Sequence, residues 1–156
     1  MLNFFLWRET TMAAVKTKIT DYLTSHLYLR LGTVDTQCTP QVHTVGYVSE
    51  GCIVYFVTDR KSRKAENIIS NPAVAYAVDE NYLDVMAIQG VQIEGIASLV
   101  TLETDAMRIL DLMAQKFPGM EKMPPNPDLV IFKIEPVRGY FLDSTVAFGH
   151  RDMVDF

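Results

Sequence analysis

The chain has 156 residues, which suits one domain with one core. Apolar residues make up 49% and charged residues 21%, the balance of an ordinary globular protein and not of a disordered one. The net charge of -5 offers no general attraction to nucleic acid or to an anionic membrane, so an anionic ligand needs a local basic site.

The opening run from Met1 to Trp7 is apolar but has no basic flank, and Arg8 and Glu9 end it. It is too short for a signal peptide core and far too short to cross a bilayer, and later apolar runs are also interrupted. Met12–Thr24 reads as a short helix, with Ala14, Ile19, Tyr22 and Leu23 on one face. The whole N-terminal segment 1–25 is expected to be helical.

The pattern then changes. Leu27–Val34 alternates like a strand, and Asp35–Pro40 is rich in turn formers. Val42–Val48 is β-branched and aromatic, Ser49-Glu50-Gly51 forms a tight turn, and Cys52–Thr58 is a strand apolar on both faces. Ala65, Ile68 and Ile69 mark a short helix, which Asn71-Pro72 stops before the strand Ala73–Val78. Val85–Val100 is long and extended, with Gly90 and Gly95 at expected bends.

Thr101–Phe117 has the clearest helical period, through Ala106, Ile109, Leu110, Met113, Ala114 and Phe117. Thr101 or Thr104 can cap its start. Three prolines make Met120–Asp128 an irregular loop, and Leu129–Ile134 is a strand that Arg138–Leu142 can extend past Pro136. The tail 144–156 fits either a disordered terminus or a lid, in which Phe148 stacks and His150 or Arg151 meets an anion. One domain, 1–156, thus holds six or seven antiparallel strands closed into a barrel with peripheral helices.

One segment stands out chemically. Arg60, Lys61, Arg63 and Lys64 are four of the chain's fourteen Lys and Arg residues, and they lie where a strand gives way to a helix. Cations in a first helical turn oppose the macrodipole. An anion bound there, by free N–H groups, the Ser62 hydroxyl, Arg63 and Lys64, accounts for them better. A solvated basic turn is the alternative. His26, His43 and His150 lack metal-ligand spacing, and Cys38 and Cys52 lack a CxxC, so no metal site is expected and both thiols are read as reduced, as in the cytoplasm. Met107, Met113, Met120 and Met123 read as core and loop filling.

The stretch IVYFVTDRKSRKAENIISNPAVAYAV resembles the strand–turn–helix–strand core of the pyridoxamine 5'-phosphate oxidase-like FMN-binding proteins. LRLGTVDTQCTPQVHTVGYV resembles their opening hairpin, and FKIEP their last barrel strand. The resemblance implies an antiparallel six-stranded split β-barrel of the FMN-binding type. It implies a homodimer with FMN at the subunit interface, and Ser62, Arg63 and Lys64 on the phosphate. Val57 and Thr58 would follow the flavin and ribityl chain. His43 and Val45 would supply ring or phosphate contacts, and either Gln89 or Gln92 a further one. The function it implies is a cytoplasmic FMN-dependent oxidoreductase acting with a small-molecule electron donor or acceptor. The rivals are a flavin electron carrier and a related barrel that binds haem or a deazaflavin. The basic motif that holds substrate phosphate late in the true pyridoxamine phosphate oxidases is absent.

Overall fold

The computed structural model describes residues 2–156, and the side chains of residues 11–120 and 122–156. Its centre is one antiparallel sheet of eight strands, β1 (Tyr28–Val34), β2 (Pro40–Gly46), β3 (Val48–Glu50), β4 (Ile53–Asp59), β5 (Ala73–Asp79), β6 (Gln89–Leu99), β7 (Leu129–Asp143) and β8 (Arg151–Asp155). Seven of them run in the order β2-β1-β5-β6-β7-β4-β3, and β8 pairs with β7. The two end strands, β2 and β3, are consecutive in the chain and separated by Tyr47 alone. Counted as one bent strand, they curl the sheet into a split barrel of six staves, with β8 appended.

Tyr47 makes that corner, where the sequence suggests a continuous strand over Val42–Val48. Its side chain is fully buried, and its hydroxyl donates to the Leu23 carbonyl at 2.8 Å. A second bend falls in β6 and β7. The register shifts between Glu94 and Gly95, and Gly95 faces Pro136. Pro136 cannot donate to the ladder, so an irregularity opposite it leaves no hydrogen bond unmade. A Cβ on Gly95 would meet the Glu135 carbonyl oxygen at 2.7 Å, which is why glycine stands there. Arg138–Leu142 therefore continues β7, which runs unbroken for 15 residues.

The barrel interior is apolar. Leu29, Leu31, Val54, Phe56, Val78, Val91, Ile93, Phe132 and Ile134 fill it, and the Phe56 and Phe132 rings stack at 5.4 Å. Helix α1 (Leu2–Ser25) extends beyond the periodic stretch Met12–Thr24 into the N-terminal segment. It buries Val15, Ile19, Tyr22 and Leu23 on the same core, while Ala14 is exposed. Those four sit at steps of three and four, so the period holds with Val15 in place of Ala14. No helix among the described residues is long and apolar enough to cross a membrane.

Helix α2 (Arg63–Ser70) follows β4, and helix α3 (Glu103–Lys116) packs outside the barrel. There Ile109 and Met113 meet Val48, Tyr55 and Ile131 in a second apolar cluster. Leu102 occupies the N-cap of α3 without a side-chain hydrogen bond, so neither Thr101 nor Thr104 caps it. Glu103 and Asp105 in the first turn complement the helix dipole instead.

The end of the tail is a strand rather than a disordered terminus. Residues 151–155 form β8 on the outer part of β7, and Val154 is 1% exposed. The alternation around Met153 and Val154 is too short to read as a strand from sequence. The long free edge of β7 supplies the partner that makes it one.

Candidate functional site

The basic turn closes the end of β4. Ser62 caps α2, and its hydroxyl accepts from the Ala65 N–H at 3.4 Å and lies 3.1 Å from the Thr58 hydroxyl. The loop beside it is pinned from the other side. Asp59 accepts from the Lys61 N–H at 2.7 Å and from the Asn126 amide at 2.8 Å. Lys61 itself pairs with Asp128 at 2.5 Å. These contacts hold the Asp59 carboxyl below its ordinary range, the Asn126 hydrogen bond most of all.

Pairing Lys61 away leaves Arg60 in the turn and, at the start of α2, Arg63 and Lys64. Among the described residues, neither Arg63 nor Lys64 has a carboxylate in ion-pair contact. Partial burial, then the neighbouring Arg63 charge, pushes the Lys64 amine down, against the opposing pull of Asp59. His43 lies close enough for both charges to act on its ring. Desolvation first, then Lys64 and Arg63, hold the imidazole below its ordinary pKa of 6.5. Two cations, Arg63 and Lys64, therefore act on the His43 ring with only Asp59 opposing them at Lys64. That arrangement favours a bound anion on electrostatic grounds.

His43 is held from behind. Its Nε2 lies 3.4 Å from the Thr33 hydroxyl, which accepts from the Asn67 amide at 3.0 Å. Thr33 and Asn67 are both buried, and Asn67 lies on α2 three residues after Lys64. Sequence reading passed over this pair, because nothing local links Thr33 on β1 to Asn67.

Val57 and Thr58 lead from the turn into a cavity of about 500 Å³. β4 and β2 form one wall, through Val57, Thr58 and Gly46, with Tyr28 beside them. α3 and the segment after it form the other, through Leu110, Met113, Phe117, Met120 and Met123. Met113, Met120 and Met123 thus line a cavity as well as filling space, whereas Met107 is 61% exposed outside it. Only the packing of α3 across β4 reveals this.

The remaining residues of the sequence reading lie elsewhere. Val45 is buried in the barrel core, which leaves its backbone rather than its side chain for a ligand. Gln89 pairs with Asp143 and Gln92 with Tyr140, near the end of β7 remote from Leu129, whose partner Asp59 adjoins the basic turn. Gln89 donates to Asp143 at 3.1 Å, and Gln92 is exposed. His150 lies at that same end, where its carbonyl accepts from the Asp143 N–H at 2.9 Å and its ring contacts Asp152 at 3.2 Å. Within one chain, then, His43, Val57, Thr58, Ser62, Arg63 and Lys64 come together, and Gln89, Gln92 and His150 form a separate group. Among the described residues no group of three or more His, Cys, Asp or Glu side chains could hold a metal ion.

The curled sheet, the short helix after β4 and the helix packed outside define a split barrel of the pyridoxamine 5'-phosphate oxidase type. The pyridoxamine 5'-phosphate oxidase family model matches residues 15–143, and the chain belongs to that family. Solved structures agree on the fold. General Stress Protein 26 from Bacillus anthracis str. Sterne superposes with a TM-score of 0.70 at 24% identity, covering 91% of this chain and 98% of that one. An F420 reductase gives 0.62 at 29% identity, covering 76% and 93%. The heme storage protein HutZ from Vibrio cholerae gives 0.67 at 21% identity, covering 77% and 88%. No curated protein sequence matches.

Proposed function

We propose that this protein binds FMN and serves as an oxidoreductase, with its phosphate held by Ser62, Arg63 and Lys64. The observation that carries the reading is the pair of cations, Arg63 and Lys64, beside His43 and out of ion-pair contact with any described carboxylate. A phosphate dianion would meet both charges, the Ser62 hydroxyl and the open N–H groups at the start of α2. The ribityl chain would pass Thr58 and Val57, and the ring would lie along the seam between β4 and β2. FMN supplies hydride and single-electron chemistry when bound. The chain's own residues would fix its position and shield one side from water.

The group at Gln89, Gln92 and His150 fits the same reading through a second subunit. It lies too far along β7 to reach the basic turn of its own chain. In a two-fold dimer it would complete the partner's site, so a homodimer is part of the proposal, with a small-molecule electron donor or acceptor.

A haem or deazaflavin ligand is the second reading, favoured by the likeness to HutZ and to the F420 reductase. The absorbance spectrum of the purified protein separates these ligands, and mass measurement of the released ligand identifies it. Flavin bands and an FMN mass are expected, with catalytic oxidation of a reduced nicotinamide or another donor. A Soret band would sink the FMN assignment, and flavin without turnover would make the protein a carrier.

A further inference from the structure

We infer that the cavity between β4 and α3 takes an uncharged, apolar, ring-bearing molecule; its role as substrate rests on the flavin reading above. The composition of its walls sets the class. Leu110, Met113, Phe117, Met120 and Met123 face the β4 side, where Val57 continues the apolar surface. Methionine side chains adapt their shape and make favourable contacts with aromatic rings. Phe117 closes one side, with its ring 5.9 Å from that of Tyr28 and against the backbone of Gly46, where an added Cβ would meet it at 3.0 Å.

Of the polar side chains on the walls, Thr58, Asp59 and Asn126 are already engaged, which leaves the Tyr28 hydroxyl. The Thr58 hydroxyl is engaged with Ser62, and the Asn126 amide donates to Asp59 while its oxygen accepts from the Asp128 N–H at 2.8 Å. A ligand that needed several hydrogen bonds would lose its water with little replacement beyond the Tyr28 hydroxyl, and such groups cost free energy when buried unpaired. Charge points the same way. No Lys, Arg or His lines the cavity, and its one ionisable carboxyl, Asp59, is held in the charged form. An anionic substrate is therefore disfavoured there, although the phosphate clamp begins only three residues along the chain from Asp59, at Ser62.

A matched pair of probes tests this by calorimetry on the FMN-loaded protein. 2-Naphthol and 2-naphthoate share one ring system, and only the second is charged at neutral pH. Naphthol is expected to bind at least tenfold more tightly. Met123→Lys should weaken it at least fivefold, because Met123 lies on the cavity wall and is 54% exposed, so the fold tolerates the change. Met107→Lys, on α3 but outside the cavity, should leave it unchanged. Equal or tighter naphthoate binding, or the same loss in both lysine variants, would overturn the inference. Displacement of naphthol by FMN would also overturn it, since the flavin ring would then fill the cavity and leave no room for a second molecule beside it. Naphthol binding to a protein that takes no FMN would support the cavity assignment and defeat the flavin reading alone.

Discussion

The hydroxyl oxygens of Thr58 and Ser62 lie 3.1 Å apart and join the end of β4 to the cap of α2. This contact fixes where the helix starts relative to the cavity floor. It therefore fixes where Arg63 and Lys64, the next two residues, present their charges. A phosphate gripped there would have its organic portion directed past Thr58 and Val57.

The double change Arg63→Ala and Lys64→Ala should lower FMN affinity by about two to four orders of magnitude, from roughly 1.5–3 kcal/mol for each charge-assisted contact. Riboflavin differs from FMN only by the phosphate, so its affinity should change little. Neighbouring contacts are seldom additive, which favours the lower end. Titration of both ligands against apo-protein measures the difference, and an equal loss for both would mean that the residues shape the pocket in general.

Ser62 has two roles that one substitution separates. Ser62→Asp preserves an efficient N-cap and suits the helix dipole, so thermal stability should hold within about 0.5 kcal/mol. The added carboxylate would repel a phosphate, and FMN binding should be lost. Ser62→Ala should do the reverse, costing about 1 kcal/mol of stability while weakening FMN only modestly. Melting curves and FMN titrations on the two variants decide the matter, and retained FMN binding in Ser62→Asp would remove Ser62 from the phosphate site.

His43 gives the ligand-free protein an acid sensitivity with a definite sign. Burial and the charges of Lys64 and Arg63 hold its folded pKa below 6.5, while the unfolded chain takes up its proton near 6.5. Its contribution to stability is complete above about pH 6.5 and is lost as pH falls from there through the folded pKa. Urea unfolding of apo-protein at pH 7.5 and pH 5 should show a drop that is smaller in His43→Gln. Bound phosphate opposes the two cations, so FMN should shrink the drop in wild type; an identical pH slope in the variant would reject the effect.

Removing residues 151–156 should destabilise the barrel. The deletion strips β8 from β7, takes Val154 from the core and breaks the contact of Arg138 Nε with Asp155 at 2.8 Å. Loss of the buried valine alone costs about 2 kcal/mol, which lowers the melting temperature by several degrees in a chain of this size. A circular dichroism melt reads this directly, and an unchanged midpoint would show that β8 contributes nothing to stability.

The sequence by itself determined the local elements and the chemistry of the turn. Alternation over Leu27–Val34 and Cys52–Thr58, the period of α3 and the S-R-K run at the start of a helix are properties of neighbouring residues. Side-chain period and capping preference act over a few positions, so they are legible without a fold. What only tertiary structure decided depends on residues far apart in the chain. Tyr47 turns one strand into the corner that curls the sheet, with its hydroxyl reaching Leu23. Residues 151–155 become a strand because β7 offers an unpaired edge. Thr33 and Asn67 support His43 across 34 positions. The cavity exists because α3 lies over β4, and the separation of Gln89, Gln92 and His150 from the basic turn follows from the length of β7. Each of these is a long-range contact chosen by packing, a term that no local pattern contains.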